Sequence, residues 1–182
     1  IREPMIVKWP GVTKSGSICR ENVIGIDLYP TLLEATGSPV PKGYELDGVS
    51  IAPLLHNAEA KLTRKAIHWH FPAYLQGYTV RHGQFRTTPA AATRMGEWKL
   101  IEFFEDGTLE LYNTAEDLSE TKNLAKKNPK KTEELHASML AWRKAVKAPV
   151  PTELNPEYAS GKPDSSPKKP KRNQKKGDKK KP

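Results

Sequence analysis

Residues 91–113 read "AATRMGEWKLIEFFEDGTLELYN". Ala91 to Met95 is extended, Gly96-Glu97 turns the chain, and Trp98 to Phe104 forms a strand. Leu109 to Asn113 returns beside it. Between those two strands, Glu105-Asp106-Gly107 carries the Asp-Gly pair whose positive backbone angles suit a hairpin. The stretch is therefore an antiparallel meander of at least three strands, and a sheet of that size needs a helix on its apolar face to be stable. Pro129 to Lys147 supplies the helix: Leu135, Met139 and Trp142 recur at spacings of four and three, one face of an α-helix. Pro149 and Pro151 end it. This part of the chain is a small α+β unit.

Upstream the pattern changes. Residues 1–11 hold the apolar run Met5-Ile6-Val7 before the turn-like Trp9-Pro10-Gly11, and predict a buried strand ending in a turn. Val23-Ile24 predicts a second short extended piece. Asp27 to Gly37 predicts a helix with both ends marked: Asp27 as cap, Pro30 in the first turn and Gly37 as left-handed stop. Leu28, Leu32 and Ala35 share one face of it. Leu46-Asp47-Gly48 reads as a turn, with Asp47 as a turn residue, and Ile51 to Leu55 as a short apolar helical turn. Ala66 to Phe71 has strand character and Pro72 stops it. Gln76 to Ala92 reads as an irregular loop with extended pieces.

The chain starts at Ile1, and its first residues already read as structure, which predicts a segment of a longer protein or a processed product. No stretch approaches the ~18 apolar residues of a membrane span, and no signal peptide is visible. The single cysteine, Cys19, excludes an internal disulfide and a cysteine-rich zinc site. The net charge of +9 divides unevenly. Gly161 to Pro182 carries ten Lys or Arg against Asp164 and Asp178, while the preceding 160 residues carry twenty basic against nineteen acidic ones. Residues 161–182 hold no large apolar residue to bury, and the Lys/Pro-rich tail 151–182 is expected to be disordered. Its charge suits contact with a polyanion by counterion release, or a merely solvated tail.

For chemistry, the chain offers no Gly-rich phosphate loop, no Gly-x-Ser-x-Gly elbow and no His-Glu-x-x-His pair. The stretch "IHWHFPAY", 67–74, places His68 and His70 on one side of a strand because side chains alternate. That geometry admits a metal pair, a buried or interface pair, or contact with a polar or anionic substrate. A metal site needs three or four ligands, and no third is placed nearby. Arg81, His82 and Arg86 form a basic group in the following loop, where anion contacts concentrate. Arg2 and Glu3 offer an ion pair near a site or a structural one.

Four stretches, "IREPMIVKWPG", "IDLYPTLLEATG", "LDGVSIAPLL" and "RMGEWKLIEFFEDGTLELYNTAEDLSETKNLA", stand in the order of a sulfatase C-terminal region. The chain from Ile1 to Val146 resembles the last third of an arylsulfatase-type sulfatase, in the alkaline-phosphatase-like superfamily. "IHWHFPAY" is similar to a segment of bacterial members with a third histidine where Ala73 stands here.

The resemblance implies an α/β fragment: residues 1–65 finish the large α/β domain, and 66–150 form a smaller antiparallel subdomain with its helix. It implies a hydrolase of sulfate esters that uses a formylglycine made in a Cys/Ser-x-Pro/Ala-x-Arg motif and a calcium held by an early Asp pair and a later Asp-Asn pair, all upstream of Ile1. Cys19 lies in Ser17-Ile18-Cys19-Arg20-Glu21-Asn22, which does not match that motif. No catalytic residue, metal or cofactor is therefore expected within this chain, and sulfate ester cleavage lacks its nucleophile, cation and acid here. His68, His70, Arg81, His82 and Arg86 are the expected substrate contacts. The substrate implied is a sulfate ester, such as a sulfated polysaccharide, and the compartment is periplasmic or extracellular. Two alternatives stay open: a non-catalytic module holding polyanions through its basic tail, and a phosphoesterase relative.

Overall fold

The structure, a computed structural model, describes residues 3–76 and 85–153. Its centre is a four-stranded antiparallel sheet in the order β1-β4-β5-β6. These strands are β1 (Ile67–Phe71), β4 (Ala90–Met95), β5 (Trp98–Phe103) and β6 (Leu109–Asn113), and a two-stranded ribbon of β2 (Leu75–Gln76) and β3 (Phe85–Thr87) is inserted between the first two. The meander is as expected, with β1 added at its edge. Helix α3 (Pro129–Ala145) lies across one face. Its Leu135 and Met139 are fully buried against Ala91, Leu100 and Leu111. Those three sheet residues share a face because alternate residues point the same way and the register puts Leu100 opposite Leu111.

The β5–β6 hairpin refines the expected turn. Only Gly107 adopts positive φ, +70°, whereas a two-residue turn of the expected kind needs both central residues there. The loop is instead longer: the Gly107 amide donates to the Phe103 carbonyl, and the Thr108 amide donates to the Asp106 carboxylate.

The N-terminal part contains a short 3-10 turn, α1 (Leu28–Ala35) and α2 (Ala52–His56). Residues 3–9 form no strand and are mostly exposed, Ile6 at 95%. Val23-Ile24 likewise forms no strand. An apolar run becomes a buried strand only between neighbours that pair with it, and no described strand lies beside either run.

Helix α1 is turned the opposite way from its amphipathic pattern. Leu28 and Leu32, on its apolar face, are 47% and 61% exposed, while the polar Asp27 and Thr31 are buried. Asp27 stands at the N-cap position but makes no cap hydrogen bond to the helix. Its carboxylate accepts from the amides of Ile24 at 2.9 Å and Val49 at 3.1 Å, and from both terminal nitrogens of Arg64 at 2.5 and 2.8 Å. Arg64 also donates to the Asn22 carbonyl. A charged, forked donor is a stronger partner than a helix amide, so the cap is replaced by a buried ion pair. Thr31 completes the knot by accepting from the Ile51 amide at 2.9 Å. The turn at Asp47-Gly48 fits beneath it only because residue 48 is glycine: a β-carbon there would lie 2.1 Å from the Ile26 carbonyl oxygen.

Candidate functional site

The face of β1 that carries His68 and His70 is the face covered by α3. In register, His68 lies beside Thr93, and His70 lies in a row with Ala91, Glu102 and Leu109. The alternation expected from sequence thus places both imidazoles on one side, against the C-terminal half of the helix. The His68 ring stacks on Trp142, centroids 4.9 Å apart and planes 14° apart, and Nδ1 shares a 2.9 Å hydrogen bond with the buried Thr93 hydroxyl. Burial holds its pKa below the usual imidazole range, so the ring is neutral at pH 7.

His70 is packed between rings, 5.4 Å from Phe104 and 6.2 Å from Trp142. Its Nε2 donates to the Pro149 carbonyl at 2.6 Å, because a carbonyl can only accept. Nδ1 is buried and without a hydrogen-bond partner among the described residues. His70 therefore fastens the segment that leaves α3 to the end of the sheet. That segment turns at Lys147, whose φ is +52°, and the Ala148 amide closes the helix end on the Arg143 carbonyl.

Beside these rings sits a charged group. Arg143 pairs with Glu102 and lies 5.0 Å over the Phe104 ring; His136 approaches Glu102 at 3.6 Å. Past Phe104, a cleft of about 210 Å³ opens. It is lined by Pro72, Tyr74, Pro89, Phe104 and Glu105 together with Pro151, Thr152 and Glu153. The Tyr74 hydroxyl donates to Glu105 at 2.7 Å.

The structure thus joins His68 and His70 to each other through Trp142, and to Thr93, Phe104 and Pro149, none of which the sequence reading placed beside the histidines. Pairings across 25 to 79 residues leave no local signal. Arg81 and His82 lie outside the described residues, as does Arg2. Arg86 belongs to β3 by its backbone, and its side chain lies outside the description. Among the described residues, no group of three or more His, Cys, Asp or Glu side chains converges as a metal site. The calcium and formylglycine that the resemblance implies do not fit the residues described: Cys19 is exposed and only accepts from the Glu21 amide, and the Asp27 carboxylate is occupied by Arg64. No described helix is long and apolar enough to cross a membrane.

Comparison with known proteins gives the setting. The family model "N-sulphoglucosamine sulphohydrolase, C-terminal" matches residues 1–145. A sulfatase of Formosa agariphila is 38% identical over 133 residues, which cover 71% of this chain and 24% of that protein. An N-acetylglucosamine-6-O-sulfatase of Bacteroides thetaiotaomicron is 32% identical over 128 residues, 69% of this chain and 23% of that protein. A structure solved in complex with its substrate D-glucosamine-2-N,6-O-disulfate superposes with a TM-score of 0.63 at 28% identity, over 82% of this chain and 30% of that one. The chain spans about a quarter of the length of the curated relatives it matches. It belongs to the sulfatase C-terminal family, and its fold is the C-terminal part of an alkaline-phosphatase-like sulfatase.

Proposed function

From that membership we propose that this chain is the C-terminal part of a sulfuric ester hydrolase that acts on sulfated sugars outside the cytoplasm. The family match over residues 1–145 carries the reading. The relatives' names, among them an N-acetylglucosamine-6-O-sulfatase, support a sulfated-sugar substrate. In this reading residues 1–65 complete the large α/β domain, 66–150 form the C-terminal subdomain and 151–182 the basic tail. The outward apolar face of α1 supports the first assignment, because Leu28 and Leu32 gain only when another part of the enzyme covers them.

The nucleophile, as formylglycine, and the calcium ligands lie upstream in this proposal, and the chain alone is inactive. The substrate contacts offered from here are Arg81, His82 and Arg86 as direct partners of a sulfate. His68 and His70 serve substrate selectivity from the sheet end that leads into that loop. The test is hydrolysis of an aryl sulfate and of a sulfated glucosamine by this chain, alone and joined to its upstream coding region. Activity that appears only with the upstream region, and disappears on chelation of calcium, is the expected result. Absence of a Cys/Ser-x-Pro/Ala-x-Arg motif from a complete upstream reading frame would refute the activity.

A second reading rests on the charge of 161–182, ten basic residues against two acidic. It makes the chain a non-catalytic module that holds polyanions. Tail-dependent, salt-sensitive binding of sulfated glycan, with no hydrolysis after upstream restoration, would favour it over the first.

A further inference from the structure

We propose that the cleft between Tyr74, Phe104 and Glu105 is the seat of this chain's own Lys/Pro-rich segment, Pro167-Lys168-Lys169-Pro170-Lys171-Arg172. The inference does not rest on the sulfatase reading. The cleft walls are proline and aromatic, from Pro72, Tyr74, Pro89, Phe104 and Pro151, with carboxylates at Glu105 and Glu153. A cleft of that lining suits a polyproline-II segment: its preformed backbone loses little freedom on docking, and its prolines pack on aromatic rings. Two carboxylates in the wall disfavour a sulfate or phosphate and favour a cationic occupant. The positive charge nearby does not cancel them, because Arg143 is already paired with Glu102.

The position of the occupant follows from the chain path. His70 holds the Pro149 carbonyl, and this brings Pro151, Thr152 and Glu153 into the cleft wall. The residues that follow therefore start at the cleft itself. Thirteen residues, 154–166, separate Glu153 from Pro167. A flexible coil of thirteen residues would span about 20 Å, ample for a return to the starting point. The closed loop is short enough to give the segment an effective concentration on the order of millimolar. Lys168 and Lys169 lie between Pro167 and Pro170, so prolines on the rings leave the lysines to face Glu105 and Glu153. The same lysines are the ones a polyanion would bind, so docking and polyanion binding exclude one another.

The test uses the full chain with Cys19→Ser and a nitroxide attached at Ser165→Cys. Amide signals of Ala73, Tyr74, Phe104 and Glu105 should broaden at low salt and recover at 0.5 M salt, where the screening length is about 4 Å. Glu105→Lys with Glu153→Lys should abolish the broadening. Adding Lys168→Glu and Lys169→Glu to that pair should restore it, and unchanged chemical shifts of Leu100 and Leu111 verify the fold throughout. No broadening at low salt overturns the proposal, as does broadening that survives the charge reversal. Broadening in a mixture of labelled and unlabelled chains assigns the cleft to a second copy's tail and refutes self-docking. Shifts of the same signals by an unsulfated oligosaccharide, with no effect of the nitroxide, assign it to a sugar and refute it equally.

Discussion

Replacing Asp27 by alanine tests whether a buried ion pair, rather than an apolar face, holds α1 in place. Asp27 is fully buried and accepts four hydrogen bonds, two from the amides of Ile24 and Val49 and two from Arg64. Alanine leaves the guanidinium of Arg64 with an uncompensated charge and both amides without an acceptor. Removing one partner of a buried pair costs about 3–5 kcal/mol. For a chain of this size that is a fall in Tm of roughly 6–20 °C. Thermal and urea unfolding give the number, and hydrogen exchange gives the place: the Val49 and Ile51 amides should lose protection while Leu100 and Leu111 keep theirs.

The same pair has a pH signature. Burial pushes the Asp27 carboxyl up, but the Arg64 hydrogen bonds and charge and the two amides outweigh it, and the pKa lies below the usual value of 3.8. The folded state then binds fewer protons than the unfolded state near that pH, so stability rises with pH. The contribution is complete above the unfolded pKa and fades as pH falls through the lower folded one. Asp27→Asn should flatten this acid limb. An Asp27→Ala cost under about 1 kcal/mol, well below the range for a buried pair, would refute the argument, as would an acid limb unchanged by Asp27→Asn.

Gly48→Ala should destabilise by at least about 1–3 kcal/mol, the range for overpacking, because the new methyl meets backbone at Ile26 rather than a movable side chain; urea midpoints report it. His70→Ala should free the segment after α3 and raise hydrogen exchange from Lys147 to Val150, at a cost of about 1 kcal/mol for the lost bond. In the enzyme restored to full length, the same change should move KM or substrate preference and leave calcium affinity alone; a loss of calcium affinity would contradict the placement of His70.

The sequence was most legible where local pattern and tertiary packing ask for the same thing. Trp98 to Asn113 alternates and Leu135, Met139 and Trp142 recur on one helix face, both as expected, whereas the turn at Gly107 forms in a longer loop than the Asp-Gly pair suggests. The pattern misled at Asp27, where a helix cap and an ion-pair partner are the same residue type in the same place. Nothing near Asp27 in sequence announces Arg64, 37 residues on. The site was half legible. That His68 and His70 share a side follows from strand alternation; that the side lies under Trp142 depends on how α3 crosses the sheet, which no spacing encodes.

The two parts of the chain differ in what holds them. The sheet and α3 enclose an apolar cluster of Ala91, Leu100, Leu111, Leu135 and Met139. The N-terminal part buries Ile51, Ala52 and Leu54 beside a charged knot, and exposes Ile6, Ile26, Leu28 and Leu32. Full burial of one such side chain is worth about 1.5–3 kcal/mol, so leaving four largely exposed forgoes more than the ion pair supplies. A buried pair specifies geometry more than it adds stability, since its attraction is offset by desolvation. In residues 25–56, then, polar contacts fix the shape and the apolar face of α1 stays exposed. An α1 that hooks its polar side inward can hold its leucines in place before anything covers them, as the proposed docking against the rest of a sulfatase would require.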